Sequence, residues 1–131
     1  IHQFGIRSGE RDEWYWAQKE GHTEIRKFDF TGLEETISRL KGKPVYFTID
    51  LDVMDPSCFP GTGTPEAGGV TFLELQGAAL KVLRGCAVVG CDMVELSPPL
   101  DPSGISTATA LKLLREMLLC LEKPFLKPEI V

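Results

Sequence analysis

Apolar and polar positions along the chain follow two alternating periods, one of strands and one of helices. Residues 2–6 (His2, Gln3, Phe4, Gly5, Ile6) read as a short buried strand. Residues 10–20 have helical spacing, with Trp14 and Ala17 on one side, and Gly21 ends that helix. A brief strand is predicted at 25–28. Thr31 and Glu34 then form T-x-x-E, the pattern of a capping box, which predicts a helix running to about Leu40 and stopped by Gly42 and Pro44. Val45, Tyr46, Phe47, Thr48 and Ile49 are too apolar to face water on either side, which predicts a central parallel strand that ends on Asp50.

Residues 51–70 break the periodicity with Pro56, Pro60, Gly61, Gly63, Pro65, Gly68 and Gly69, and predict a long ordered loop of the functional kind. Thr71 and Glu74 make a second capping box and restart the helix through Arg84. Residues 86–94 repeat the buried-strand pattern and end on Glu95; a second Pro-rich loop and a helix at about 106–121 follow. Strands alternating with helices imply right-handed crossovers, hence an α/β fold with three layers: a parallel sheet with helices on both faces. No linker or repeat divides residues 1–131, so they form part of one domain. Ligands of such sheets bind at the carboxyl ends of the strands, where two buried strands here each deliver an acidic residue before a Pro/Gly loop.

The run from Thr48 to Pro56 contains Asp50, Asp52 and Asp55. If the strand continued, residues two apart would point the same way, so Asp50 and Asp52 could face one point while Leu51 turned into the core. Crowded carboxylates need a cation or a shared proton, and hard oxygen ligands select magnesium, manganese or calcium. The plainer alternative is that one Asp caps the following turn and the other is solvated. Asp55, followed by proline, reads as a structural turn opener.

The string DLDVMDPSCFPGTGTPEAGGVT, residues 50–71, closely resembles the signature of the ureohydrolases of the arginase and agmatinase family: a D-x-D-x-x-D-P element followed by a G-T-P-x-x-G-G loop. Cys91 to Pro98 resembles the same family's D-[IV]-[VM]-E strand end. Gly5, Ile6, Arg7 and Ser8 look like the G-I-R-[ST] strand of its agmatinase branch. The resemblance covers essentially the whole chain and implies the C-terminal half of a single ureohydrolase domain of arginase-like three-layer architecture. It also implies that Asp50 and Asp52 are two of six ligands of a pair of Mn2+ ions that activate a bridging hydroxide for attack on a guanidinium carbon. Glu95 matches the acid that holds the substrate guanidinium, and Thr64 lies where the G-T-P loop lines the pocket, though threonine in such a turn is as readily a local backbone cap. The implied reaction turns a guanidino compound, agmatine before guanidinobutyrate, formiminoglutamate or arginine, into urea and an amine. The expected assembly of the full-length protein is a homo-oligomer, a trimer or hexamer.

The chain departs from the family's pattern in its histidines. An isolated histidine, a D-x-H-x-D motif and a proton-transferring histidine belong upstream of a strand like the one at Phe4, whereas only His2 and His22 occur here and neither matches. His22, after a helix-ending glycine, reads as a surface residue, and His2 as the frayed start of a strand. The chain opens at Ile1 directly into a strand, so we expect it to be part of something longer, and inactive alone. Two rivals stand beside this reading: a dehalogenase-type phosphatase, whose D-x-D strand end leaves GTGTPEAGG unexplained, and a catalytically dead interaction module on the same fold.

Composition narrows the partners. A formal net charge of -5 argues against nucleic acid or acidic lipid and suits a small cation. Cys58, Cys86, Cys91 and Cys120 form no CxxC pair and read as reduced thiols of a cytoplasmic protein, with Cys58 given no role at the metals because manganese does not favour thiolate. No stretch approaches the roughly 20 apolar residues that span a bilayer, so no membrane partner is expected.

Overall fold

The computed structural model describes residues 1–122. Its elements, in chain order, are β1 (His2–Ile6), α1 (Arg11–Glu20), β2 (Glu24–Lys27), α2 (Leu33–Arg39), β3 (Pro44–Asp50), a 3-10 turn (Leu51–Val53), α3 (Phe72–Gly85), β4 (Ala87–Val94), a second 3-10 turn (Pro98–Leu100) and α4 (Ile105–Leu121). All strand pairing between these elements is parallel, as alternating strands and helices require. The strands form two separate pairs, β1 with β2 and β3 with β4, rather than one continuous sheet.

One core gathers the chain. Leu75, Ala78, Ala79, Val82 and Leu83 recur along α3 at three- and four-residue intervals and are buried, as are Ala110, Leu113 and Met117 of α4. These two helices close over Ile49 of β3 and over Leu51, Met54, Phe59 and Val70 of the following loop. Phe59 and Leu113 are fully enclosed. The loop at 51–70 is thus part of the core, which explains why a Pro/Gly segment of that length can be ordered.

Two predicted features differ. β3 is covered on one face only: Phe47 and Ile49 pack into the core, while Tyr46 is 65% and, on β4, Val89 is 70% exposed. On the open face the Tyr46 hydroxyl donates to Asp92 Oδ2 (2.8 Å) and the Thr48 hydroxyl to Asp92 Oδ1 (2.5 Å), which holds that carboxylate below its usual range. Among the described residues β3 pairs with β4 alone, so the central strand covered on both faces that its apolar run predicts is not what the structure shows.

The Thr31–Glu34 capping box does not form. α2 begins one residue later than the motif requires, behind Gly32 in the left-handed region (φ 83°). The Thr31 amide donates to Asp29 Oδ1 (2.9 Å), and the Glu34 carboxylate pairs instead with Lys81 of α3. A local Asp turn out-competes the box. The second box does form: the Glu74 amide donates to Thr71 Oγ1 (3.4 Å) and the Thr71 amide to Glu74 Oε2 (2.7 Å). Gly21 ends α1 in the left-handed region (φ 67°), as predicted.

The Thr71→Ala substitution is expected to cost about 1 kcal/mol in urea unfolding, and Thr31→Ala only a few tenths, because only the first removes a working cap. The 131-residue chain on its own is expected to self-associate through the open face of β3–β4 and the exposed Leu111, Leu114 and Leu118 of α4. A concentration-independent monomer in sedimentation velocity would contradict this.

Candidate active site

The pairing of β3 with β4 runs from Pro44↔Ala87 to Asp50↔Val94, so Asp50 and Glu95 leave the sheet side by side at its carboxyl edge. The chain turns at once after Asp50. Leu51–Val53 is a 3-10 turn, and the Asp50 carboxylate caps it by accepting the Asp52 amide (Oδ1, 3.1 Å). Alternation along a strand is therefore not what brings Asp52 to Asp50; the tight turn does so, while Leu51 is driven into the core at 1% exposure. The turn-capping alternative is realised by Asp50, and it leaves both carboxylates close together.

Their closeness has an electrostatic consequence. Partial desolvation raises the Asp50 pKa to about 6, against the pull of the Asp52 amide, and the negative charges of Asp52 and Glu95 push the same way. Among the described residues no salt bridge joins a cation to Asp50, and Arg7, which reaches the same turn, donates to the backbone carbonyls of Asp52 and Val53. Glu95 itself has φ of 66°, a left-handed conformation that costs a side chain with a Cβ roughly 1–2 kcal/mol. Its carboxylate lies beside Gly63; a Cβ there would be only 3.8 Å from Glu95 Oε2. Thr64, next in the loop, donates its hydroxyl to Asp52 Oδ2 (3.1 Å). The four residues singled out in the sequence thus share one edge, with Thr64 bonded to Asp52 rather than capping its own turn. A cleft of about 400 Å3 between α2 and α3 includes none of them.

The loop is shaped around a different carboxylate. The Ser57 side chain, followed by the amides of Ser57 (2.9 Å), Gly68 (2.8 Å) and Gly69 (3.3 Å) that Asp55 accepts, lowers the Asp55 pKa to about 2. A single parallel bridge, Met54↔Val70, closes the loop's base. Gly69 permits it, since a Cβ there would meet the Asp55 amide nitrogen at 2.4 Å. Cys58, half-buried, donates its thiol to the Asp55 carbonyl (3.3 Å), and burial raises its pKa. His2 Nδ1 lies 3.5 Å from Glu24 and His22 is exposed; neither stands near Asp50 in the chain's bonding network.

Arg7 and Ser8, part of the G-I-R-[ST] pattern but not of the site expected from the sequence, also reach this edge. Arg7 Nη1 donates to the Val53 carbonyl (2.7 Å) and Nη2 to the Asp52 carbonyl. The Ser8 hydroxyl donates to Glu66 Oε1 (2.6 Å). The only signal for this was a cation placed directly after an apolar strand.

The arrangement offers hard oxygen donors and an excess of negative charge, which fits a hard divalent cation, although among the described residues no three His, Cys, Asp or Glu side chains form a complete metal-holding group. The Arginase family model matches residues 1–120. The chain belongs to the arginase family. It is 46% identical over 121 residues to an agmatinase of Bacillus subtilis, covering 91% of this chain and 41% of that one. It is 35% identical over 127 residues to a guanidinobutyrase of Pseudomonas aeruginosa, covering 88% and 39%. A solved Clostridium difficile structure designated an agmatinase superposes with a TM-score of 0.86 at 48% identity, covering 92% of this chain and 44% of that one. The chain therefore spans less than half the length of these arginase-family proteins, within their three-layer α/β fold.

Because Asp55 is held well below its unfolded pKa of 3.8, its contribution to stability is present above about pH 4 and is lost as pH falls toward 2. Thermal melts across pH 2–5 are expected to steepen in that window, and Asp55→Asn to flatten the dependence; an unchanged profile in Asp55→Asn would count against this account of the loop.

Proposed function

We propose that this chain is the C-terminal half of the single domain of a manganese-dependent ureohydrolase, which hydrolyses a guanidino compound to urea and an amine. The observation that carries the reading is the convergence of Asp50, Asp52, Glu95 and Thr64 at the carboxyl edge of a parallel strand pair, with no salt bridge to Asp50, Asp52 or Glu95 among the described residues. Asp50 and Asp52 would contribute two ligands to a Mn2+ pair. When bound, such ions supply an acidified water that is nucleophilic near neutral pH.

The chain's own residues do the rest of the work assigned to this half. Glu95, exposed at the strand end, is placed to accept paired hydrogen bonds from a planar guanidinium, holding the carbon toward the acidic pair. Thr64 fixes the orientation of the Asp52 carboxylate through its hydroxyl. The greater identity to an agmatinase than to a guanidinobutyrase supports agmatine as substrate, with urea and putrescine as products and a place in polyamine formation. We infer a cytoplasmic homo-oligomer, a trimer or hexamer, with no nucleic-acid or membrane partner. Among the described residues no helix is long and apolar enough to cross a membrane.

At native length and with manganese, the protein is expected to release urea from agmatine, while the 131-residue chain alone releases none. Asp52→Asn is expected to lower kcat by more than the about 10- to 100-fold that loss of an outer hydrogen-bond partner of a metal site costs. Glu95→Gln is expected to raise KM about 10- to 100-fold through the lost charge-assisted bonds. No urea from the native-length protein with manganese, or an unaltered KM in Glu95→Gln, would refute the reading.

A further inference from the structure

The Arg7 side chain is 5% exposed, an unusual place for a cation, and the carboxylate it faces, Glu66, stands at the long end of ion-pair distance. Its two terminal nitrogens donate to consecutive backbone carbonyls, those of Asp52 and Val53, at the end of the 3-10 turn. A rigid planar fork suits two neighbouring acceptors, where the compact ammonium of lysine could serve only one well. Its remaining nitrogen, Nε, is buried without a hydrogen-bond partner and faces Glu66 Oε2 at 3.9 Å. The next residue, Ser8, holds the other oxygen of Glu66.

A second, independent feature brings β1 to this turn. Gly5 interrupts the β1–β2 register with φ of 74°, and a Cβ there would lie 2.3 Å from Val53 Cγ2. The strand can approach Val53 only because residue 5 lacks a side chain. The end of β1 therefore meets both segments that carry the candidate site: the turn bearing Asp52, and the stretch 64–66, whose Thr64 hydroxyl reaches the same Asp52.

We propose that Arg7 is a positioning residue: it clamps the Leu51–Val53 turn and the 64–66 stretch in one fixed relation, and so sets where the Asp52 carboxylate stands relative to Asp50. The mechanical part of this proposal is independent of the function proposed above; its consequence for metal affinity and turnover rests on that function.

The test uses the protein at native length, as wild type, Arg7→Met and Arg7→Lys. Hydrogen exchange is expected to quicken at 51–54 and 62–66 in Arg7→Met, with Arg7→Lys intermediate. Manganese titration followed by electron paramagnetic resonance is expected to show affinity weakened about 10- to 100-fold in Arg7→Met, with kcat falling more than KM changes. Arg7→Lys, which keeps the buried charge and most of the stem, should regain part of both and guards against simple misfolding. Wild-type exchange in those segments in both variants would overturn the clamp. Faster exchange with wild-type manganese affinity and kcat would overturn its role in the site. If wild type itself neither binds manganese nor releases urea, the functional reading fails, while the exchange result still decides the clamp.

Discussion

The parallel register between β3 and β4 is the constraint on which the rest depends. With Asp50 opposite Val94, the two chains reach the carboxyl edge of the sheet together, and the residues that follow, Asp52 by a tight turn and Glu95 directly, are delivered to one place. A slip of one residue would exchange the faces of the whole strand, sending Ile49 out of the core and Thr48 into it. Register is therefore enforced by the burial of Ile49, at 3% exposure, and not by the acidic residues that profit from it. The core fixes the geometry of the edge, and the edge tolerates what the core could not.

The loop between β3 and α3 follows the same logic. Its backbone cannot be satisfied by regular pairing, so it is organised around a buried anchor, Phe59, one bridge at Met54 and Val70, and the Asp55 carboxylate that gathers three amides. A related device secures the later loop. Asp101 accepts the Ser106 amide (2.7 Å) and the Ser103 hydroxyl (2.5 Å), and the Ser106 hydroxyl accepts the Gly61 amide (2.8 Å), so the two loops are tied where Gly61 leaves no room for a side chain. Rigid loops on a rigid sheet edge are what a site requiring fixed carboxylate positions needs.

Much of this was legible in the sequence because it depends on local, one-dimensional signals. The strand at Val45, the cap at Thr71, the stop at Gly21 and the turn at Asp55 each follow from residue type and near neighbours. What was not legible depended on competition or distance. Thr31 and Glu34 carry the capping pattern, but Asp29 captures the Thr31 amide and Lys81, in a different helix, takes Glu34. Asp52 was assigned the right neighbour for the wrong reason, since a turn and a strand can both bring residues i and i+2 together. Arg7 lies 46 positions from the carbonyl of Val53, and no pattern in a single sequence announces such a pairing.

The carboxylates of this region divide into two kinds, and the division itself argues for function. Asp55 and Asp101 are surrounded by amides and hydroxyls that favour the ionised form, and both have pKa values lowered to about 2; the fold gains from their charge. Asp50, a few residues from Asp55, is pushed the other way, to about 6, by desolvation and by its acidic neighbours. Glu95 adds a left-handed backbone to the same edge. A chain that can satisfy Asp55 with three amides, in the same loop, gives Asp50 only one, that of Asp52. Local frustration of this kind is retained where another demand outweighs it. Negative charge, fixed positions and a left-handed backbone converge on one strand edge, which supports the proposal of a cation and a cationic substrate there. The satisfied carboxylates beside it build the frame.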